Sequence, residues 1–173
     1  MEPVVLTRDV VLDMPVDDLW RLVADSDGLR LWLGDSVDID VRPGGEGTVR
    51  DGGMGTVRDD VGCDVGCDGD GNRDGDGDRT VVRHVRVDRV EPAHELAFTW
   101  WRTDDPHRAS TASQVVFRLT TVPGGSHLHI TETLLGPVPP GGMTATTFAC
   151  AARTAWEVRV LSLWACSVAA ALV

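Results

Sequence analysis

Glu132 stands in the run Leu128-His129-Ile130-Thr131-Glu132, the one carboxylate whose aliphatic neighbours could tune it for proton transfer. Burial raises a carboxyl pKa and suits the group to acid or base work. The plainer reading, and the one favoured, is a cross-strand partner for an arginine such as Arg83 or Arg118. His127 and His129 alternate with Leu128 and Ile130, which sends them to the other face of a strand, away from those side chains. Asp70-Gly71-Asn72-Arg73-Asp74-Gly75 matches the first half of a calcium loop, but the twelfth position, where a bidentate Glu belongs, is Val81. Cys63-x-x-x-Cys67 offers two thiolates where structural zinc takes four ligands. Nucleophile elbow, phosphate loop, HExxH and Ser/His/Asp patterns are all absent. The expectation is therefore no metal, no cofactor, and Glu132 as the sole candidate for catalysis.

A second kind of chemistry lies in the apolar residues. Leu96, Phe98 and Trp100 share one strand face, as do Val115, Phe117 and Leu119, and Leu128 and Ile130. With Trp32 and with Trp156 and Leu163 closing over them, they form either a filled core or the wall of a cavity for an apolar small molecule. Trp101 follows Trp100 directly and so belongs to the opposite face.

The elements that must position these residues follow from punctuation and period. Val4–Leu12 reads as a strand, and Met14-Pro15 leads into a helix over 15–25 with Val16, Leu19, Trp20 and Val23 on one stripe. A short helix is expected around 29–33. Ser36–Arg42 alternates, with Val37, Ile39 and Val41 on one face, and Pro43-Gly44-Gly45 turns the chain into a strand from Glu46. Further strands are expected at 80–91, 95–102, 113–122 and 126–135, separated by Pro92, Asp104-Asp105-Pro106 and Pro123-Gly124-Gly125. One long helix runs from Met143 to Val173, with Phe148, Ala152, Trp156, Val160, Leu163, Ser167 and Ala170 at helical spacing.

Between the strands lies a segment of another character. Residues 51–79 hold nine aspartates, copy at 55–59 the Gly-Thr-Val-Arg-Asp of 47–51, and repeat Val-Gly-Cys-Asp at 61 and 65. Such a stretch buries too little apolar surface to offset its ordering entropy, so it reads as a disordered insertion within a single domain spanning 1–173. It carries −6 of the net charge of −11, leaving the rest of the chain mildly acidic. That balance argues against nucleic acid as a partner. All 16 basic residues are arginine. No apolar run approaches the ~20 residues of a membrane span, the start of the chain lacks a signal pattern, and unpaired cysteines point to a cytoplasmic setting.

The order strand, helix pair, six strands, long helix resembles the START-like (SRPBCC) superfamily, and within it the heat-shock-protein-90 ATPase activator homologue family in its small bacterial branch. The residues that carry the resemblance are Met14-Pro15, Leu19-Trp20, Leu31-Trp32-Leu33, Arg42-Pro43-Gly44-Gly45, Val90-Glu91-Pro92, Leu96 to Trp101, Ser113-x-Val115-x-Phe117-x-Leu119, Leu128-x-Ile130-x-Glu132 and Trp156. The resemblance implies an α+β helix-grip fold, with a curved antiparallel sheet wrapped around the long C-terminal helix and two short helices after the first strand. It implies three functions: binding an apolar small molecule between sheet and helix in a stress or regulatory setting; a protein-interaction role as a chaperone ATPase activator-like co-chaperone or a regulator's partner; or an enzyme similar to polyketide cyclases and dehydrases. Two features depart from the family: the Asp/Gly insertion, and a last helix apolar almost all round from Val160 on, which raises a homodimer through that helix.

Overall fold

The structure is a computed structural model that describes residues 4–51, 80–104, 112–136 and 145–170. The calcium-loop match, Cys63 and Cys67, and the insertion from residue 52 on lie outside the described residues.

Seven antiparallel strands form one sheet in the order β1-β7-β6-β5-β4-β3-β2. They are β1 (Val5–Leu12), β2 (Ser36–Ile39), β3 (Glu46–Asp51), β4 (Val81–Glu91), β5 (Glu95–Arg102), β6 (Ser113–Val122) and β7 (Gly125–Leu134). Every sequential pair from β2 to β7 is adjacent, and β1 closes the other edge against β7, with Leu6 opposite Glu132 and Asp9 opposite His129. Three helices complete the chain: α1 (Val16–Ala24), α2 (Ser26–Leu29) and α3 (Ala145–Ala170).

Local chemistry explains the boundaries. Pro15 is extended and stands just before α1 as its cap, where a missing N–H costs nothing, instead of being the first helical residue. The second helix sits earlier than expected: Asp25 caps it by accepting from the Asp27 backbone N–H at 3.1 Å, so it covers Ser26–Leu29 and leaves 30–33 as turns. β2 stops at Ile39 because Gly44-Gly45 folds back on it. Gly44 has φ +80, and a Cβ on Gly45 would fall 2.0 Å from the Asp40 carbonyl oxygen. Val41 is accordingly only half-buried. β7 begins at Gly125, one residue before the expected start.

One face of the sheet is the core. Leu19 and Val23 of α1 are fully buried, and Trp156 and Leu163 of α3 close over the strands. A bulge between Val87 and Arg89, with Asp88 as the extra residue, shifts the β4–β5 register. It lets Val85 and Val87 point inward before it and Val90 pack on the core after it, opposite Leu96. Asp88 itself accepts from Thr99 Oγ1 at 2.6 Å.

The insertion also begins later than the composition indicates. Asp51 is the last residue of β3, paired with Val81, and sits in phase with buried Val49. Composition groups it with the aspartates that follow, but its position on the strand assigns it to the core face.

Candidate functional site

Residue parity on β7 decides where its polar groups go. Ser126, Leu128, Ile130, Glu132 and Leu134 face inward and are all buried. Glu132 lies opposite Val115 of β6 and Leu6 of β1 and is 4% exposed. Its three donors come from three different elements. Trp100 Nε1 of β5 donates to Oε1 at 2.9 Å, Ser113 Oγ of β6 donates to the same oxygen, and Trp156 Nε1 of α3 donates to Oε2 at 2.7 Å. The Trp100 indole N–H is shared with Ser113 Oγ at 2.7 Å.

Neither arginine expected as a partner takes that place. Arg118 is on the outer face of β6, where it donates to Glu95 at 2.8 Å. Arg83 is on the inner face of β4 but pairs with Asp51. The reason is phase: Val115, Phe117 and Leu119 face inward, so Arg118 between them cannot. Indole N–H groups stabilise a buried carboxylate without bringing a second charge, and with both oxygens engaged Glu132 is held in one orientation.

Around that carboxylate the aromatic residues pack on one another. Phe98 and Phe117 meet edge to face at 5.5 Å, Trp32 and Phe117 lie at 5.5 Å, and Trp100 stacks on Trp156 at 5.9 Å. Trp32, Leu96, Phe98, Trp100, Val115, Phe117, Leu119, Leu128, Ile130, Trp156 and Leu163 therefore form one cluster, none more than 3% exposed. Trp32 is anchored by donating from Nε1 to the Leu22 carbonyl at 2.8 Å.

Arg159 and Asp51 escaped the sequence reading, and Arg83 has a partner other than the one expected. Arg159 of α3 is on the same buried stripe as Trp156 and Leu163, with its side chain 9% exposed. Its NH2 reaches Asp51 Oδ2 at 2.8 Å and its Nε donates to the Leu33 carbonyl at 2.8 Å. Arg83 reaches the same Asp51 oxygen. The two guanidinium groups lie 5.0 and 5.3 Å from the Trp100 ring centroid, and Arg159 is also 5.3 Å from that of Trp156. Burial lowers the pKa of Arg83, opposed by Asp51 and Glu132, while Arg159 reinforces the lowering. The signal that could have found Arg159 is a charge at helical spacing from Trp156 on an apolar stripe; Arg83 is likewise in phase with Val85 and Val87. Asp51 was hidden by the aspartates after it.

The site is thus an aromatic interior with a buried carboxylate at its centre and a two-arginine rim at the β3–β4 end. Two surface clefts open elsewhere. One of about 400 Å³ lies between the start of α1 and Ser167, lined by Met14, Pro15 and Leu22; another of about 330 Å³ is bounded by Trp20, Ala24, Ile39 and Val41. Neither is lined by the expected ligand residues. Among the described residues no group of three or more His, Cys, Asp or Glu has metal-site geometry, and no helix is long and apolar enough to cross a membrane.

The solved structures with this architecture come from several sources. DynU16, a protein of the dynemicin biosynthetic locus, is 19% identical with a TM-score of 0.62, covering 92% of this chain and 45% of its own, so the chain spans less than half of that protein. Protein CV1439 from Chromobacterium violaceum is 14% identical at TM-score 0.65, covering 94% and 96% of the two chains. SA2116 from Staphylococcus aureus is 9% identical at TM-score 0.70, covering 99% and 98%. At such identities the likeness concerns the fold alone, the helix-grip fold of the START-like superfamily. No curated protein matches the chain. The family described as Activator of Hsp90 ATPase homolog 1-like protein matches residues 13–158, a span that takes in α1, β2 to β7, Glu132 and Trp156. The chain belongs to that family.

Proposed function

We propose that this protein binds an apolar small molecule between its sheet and α3, in a cytoplasmic stress or regulatory setting. The observation that carries this reading is the Arg83–Arg159 rim beside the faces of Trp100 and Trp156. Burying Arg159 and Glu132 and half-burying Arg83 and Asp51 around an aromatic cluster is a poor way to gain stability, since desolvation consumes most of the Coulombic attraction. A site that receives a ligand's apolar body and its polar end gives that arrangement a purpose. Access requires α3 to loosen its grip, breaking ties that include Trp156 to Glu132, Arg159 to Asp51 and Leu33, Cys166 to Leu31, and Arg8 to Glu157.

Native mass spectrometry of the purified protein, with titration of a hydrophobic fluorescent probe, tests the proposal. Expected is a co-purified ligand or saturable probe uptake that weakens at least tenfold in Arg159→Ala. Absence of both ligand and uptake in the wild type overturns it.

The buried Glu132 favours a second reading, an enzyme similar to polyketide cyclases and dehydrases. In that reading Glu132 is the acid or base, and Glu132→Gln abolishes turnover while ligand uptake persists. Undiminished turnover in that variant removes Glu132 from the mechanism. The family name by itself supports the third reading, a chaperone-activating or regulator-binding role, for which no stimulation of a chaperone ATPase at molar excess is the disproof.

A further inference from the structure

α3 has a second apolar face, and we infer that it is the contact between two copies of this chain. Trp156, Arg159, Leu163 and Ser167 face the sheet and are buried. On the opposite side Val158 is 41% exposed, Leu161 67%, Trp164 54% and Val168 43%. Val158, Leu161, Ala165 and Val168 follow the three-four-three spacing of a helix–helix seam, and Trp164 flanks it. From Val160 to Val173 the sequence has no charged residue. A helix apolar all round belongs inside a protein or an assembly, and the sheet covers only one side of this one.

Area and charge choose the occupant. The four exposed side chains with Ala165 and Ala169 present about 400 Å² of apolar surface, close to the apolar share of a standard interface of about 800 Å² per partner. Pairing α3 with α3 about a two-fold axis places each seam on its own copy, so one patch serves both sides. The exposed stretch from Val158 to Val168 is about 15 Å long, enough for helices to pack at 8–10 Å separation. A membrane surface is the poorer occupant. Interfacial helices flank their apolar face with Lys and Arg, whereas this chain has a net charge of −11 and an outer face without a cation beyond Val158.

Sedimentation equilibrium over a wide concentration range tests the contact. The wild type is expected to be a dimer, and Leu161→Glu to weaken it at least a hundredfold with an unchanged far-UV spectrum. Val168→Glu repeats the test should Leu161→Glu fail to fold. Val11→Glu is the control, replacing a residue that is 65% exposed and lies on the outer face of β1, out of phase with buried Leu12; it is expected to leave the dimer intact. A wild-type monomer at every concentration overturns the inference, as does a dimer that neither seam variant weakens. A monomer that instead co-sediments with anionic vesicles assigns the face to a membrane and overturns it too. Ligand uptake is read separately, so loss of the dimer leaves the small-molecule proposal standing or falling on its own.

Discussion

Glu132 and Glu95 are both buried glutamates on neighbouring parts of one sheet, and their partners could hardly differ more. Glu95, 8% exposed, faces outward and receives two arginines, Arg89 at 2.7 Å and Arg118 at 2.8 Å, whose side chains are themselves 60% exposed. Glu132, 4% exposed, faces inward and receives two indoles and a hydroxyl. Outside, water screens a cluster of charges and the long arginine side chains keep their freedom. Inside, a neutral donor satisfies the carboxylate without adding a second ion to desolvate, and the charged groups collect at the rim, where Asp51 joins Arg83 to Arg159. The same residue type is therefore a bolt on one face and a surface clamp on the other.

The largest expected effect is on the inner face. Glu132→Ala leaves the Trp156 and Ser113 donors without an acceptor and Trp100 with Ser113 Oγ alone, which is expected to cost about 3–5 kcal/mol in urea unfolding. Glu95→Ala is expected to cost about 1 kcal/mol by the same measurement. Equal costs would break the comparison. Trp156→Phe keeps an aromatic side chain but removes the indole N–H and opens a small cavity, for a loss of about 1–3 kcal/mol. If the outer cluster is as loosely held as its exposure indicates, a double-mutant cycle of Arg118 with Glu95 returns a coupling below about 1 kcal/mol that fades at high salt.

A subtler contrast sits on the two faces of β7. His127 Nε2 and His129 Nδ1 both meet Asp9 Oδ1 at 2.8 Å on the outer side. The hydrogen bond from His129 is the chief reason the Asp9 carboxyl lies below its ordinary value, and His127 adds to it. A carboxyl depressed on folding contributes stability above its unfolded pKa and loses it as pH falls through the folded one. NMR titration of Asp9 is expected to show the depressed value, and His129→Asn to return it toward normal. An unchanged titration in that variant would assign the shift elsewhere. Smallest of all, Ala93 has φ +59 in the β4–β5 turn, and Ala93→Gly is expected to add up to about 1 kcal/mol.

Much of this was legible in the chain. The alternation of Leu96, Phe98 and Trp100, of Val115, Phe117 and Leu119, and of Leu128 and Ile130 identified the inward faces, because a pleated strand sends alternate side chains to opposite sides. The expectation of Arg118 as a partner for Glu132 runs against that same alternation, which places Arg118 on the outer face. The start of the second helix was misplaced because it depends on a single cap, Asp25, and a four-residue helix has no periodic pattern to read. Asp51 was misread because composition averages over a window and strand pairing does not.

Sequence by itself determined the elements, their order, the inward faces and the apolar character of α3, since each follows from local period, punctuation and hydrophobicity. Tertiary structure alone decided that Glu132 meets Trp100, Ser113 and Trp156, and that Asp51 meets Arg83 and Arg159. Those groups lie 32 and 108 positions from Asp51 and 19 to 32 from Glu132 along the chain. Hydrogen bonds of that span are chosen by sheet register and by the rotation of α3 over the sheet, and no local pattern encodes either.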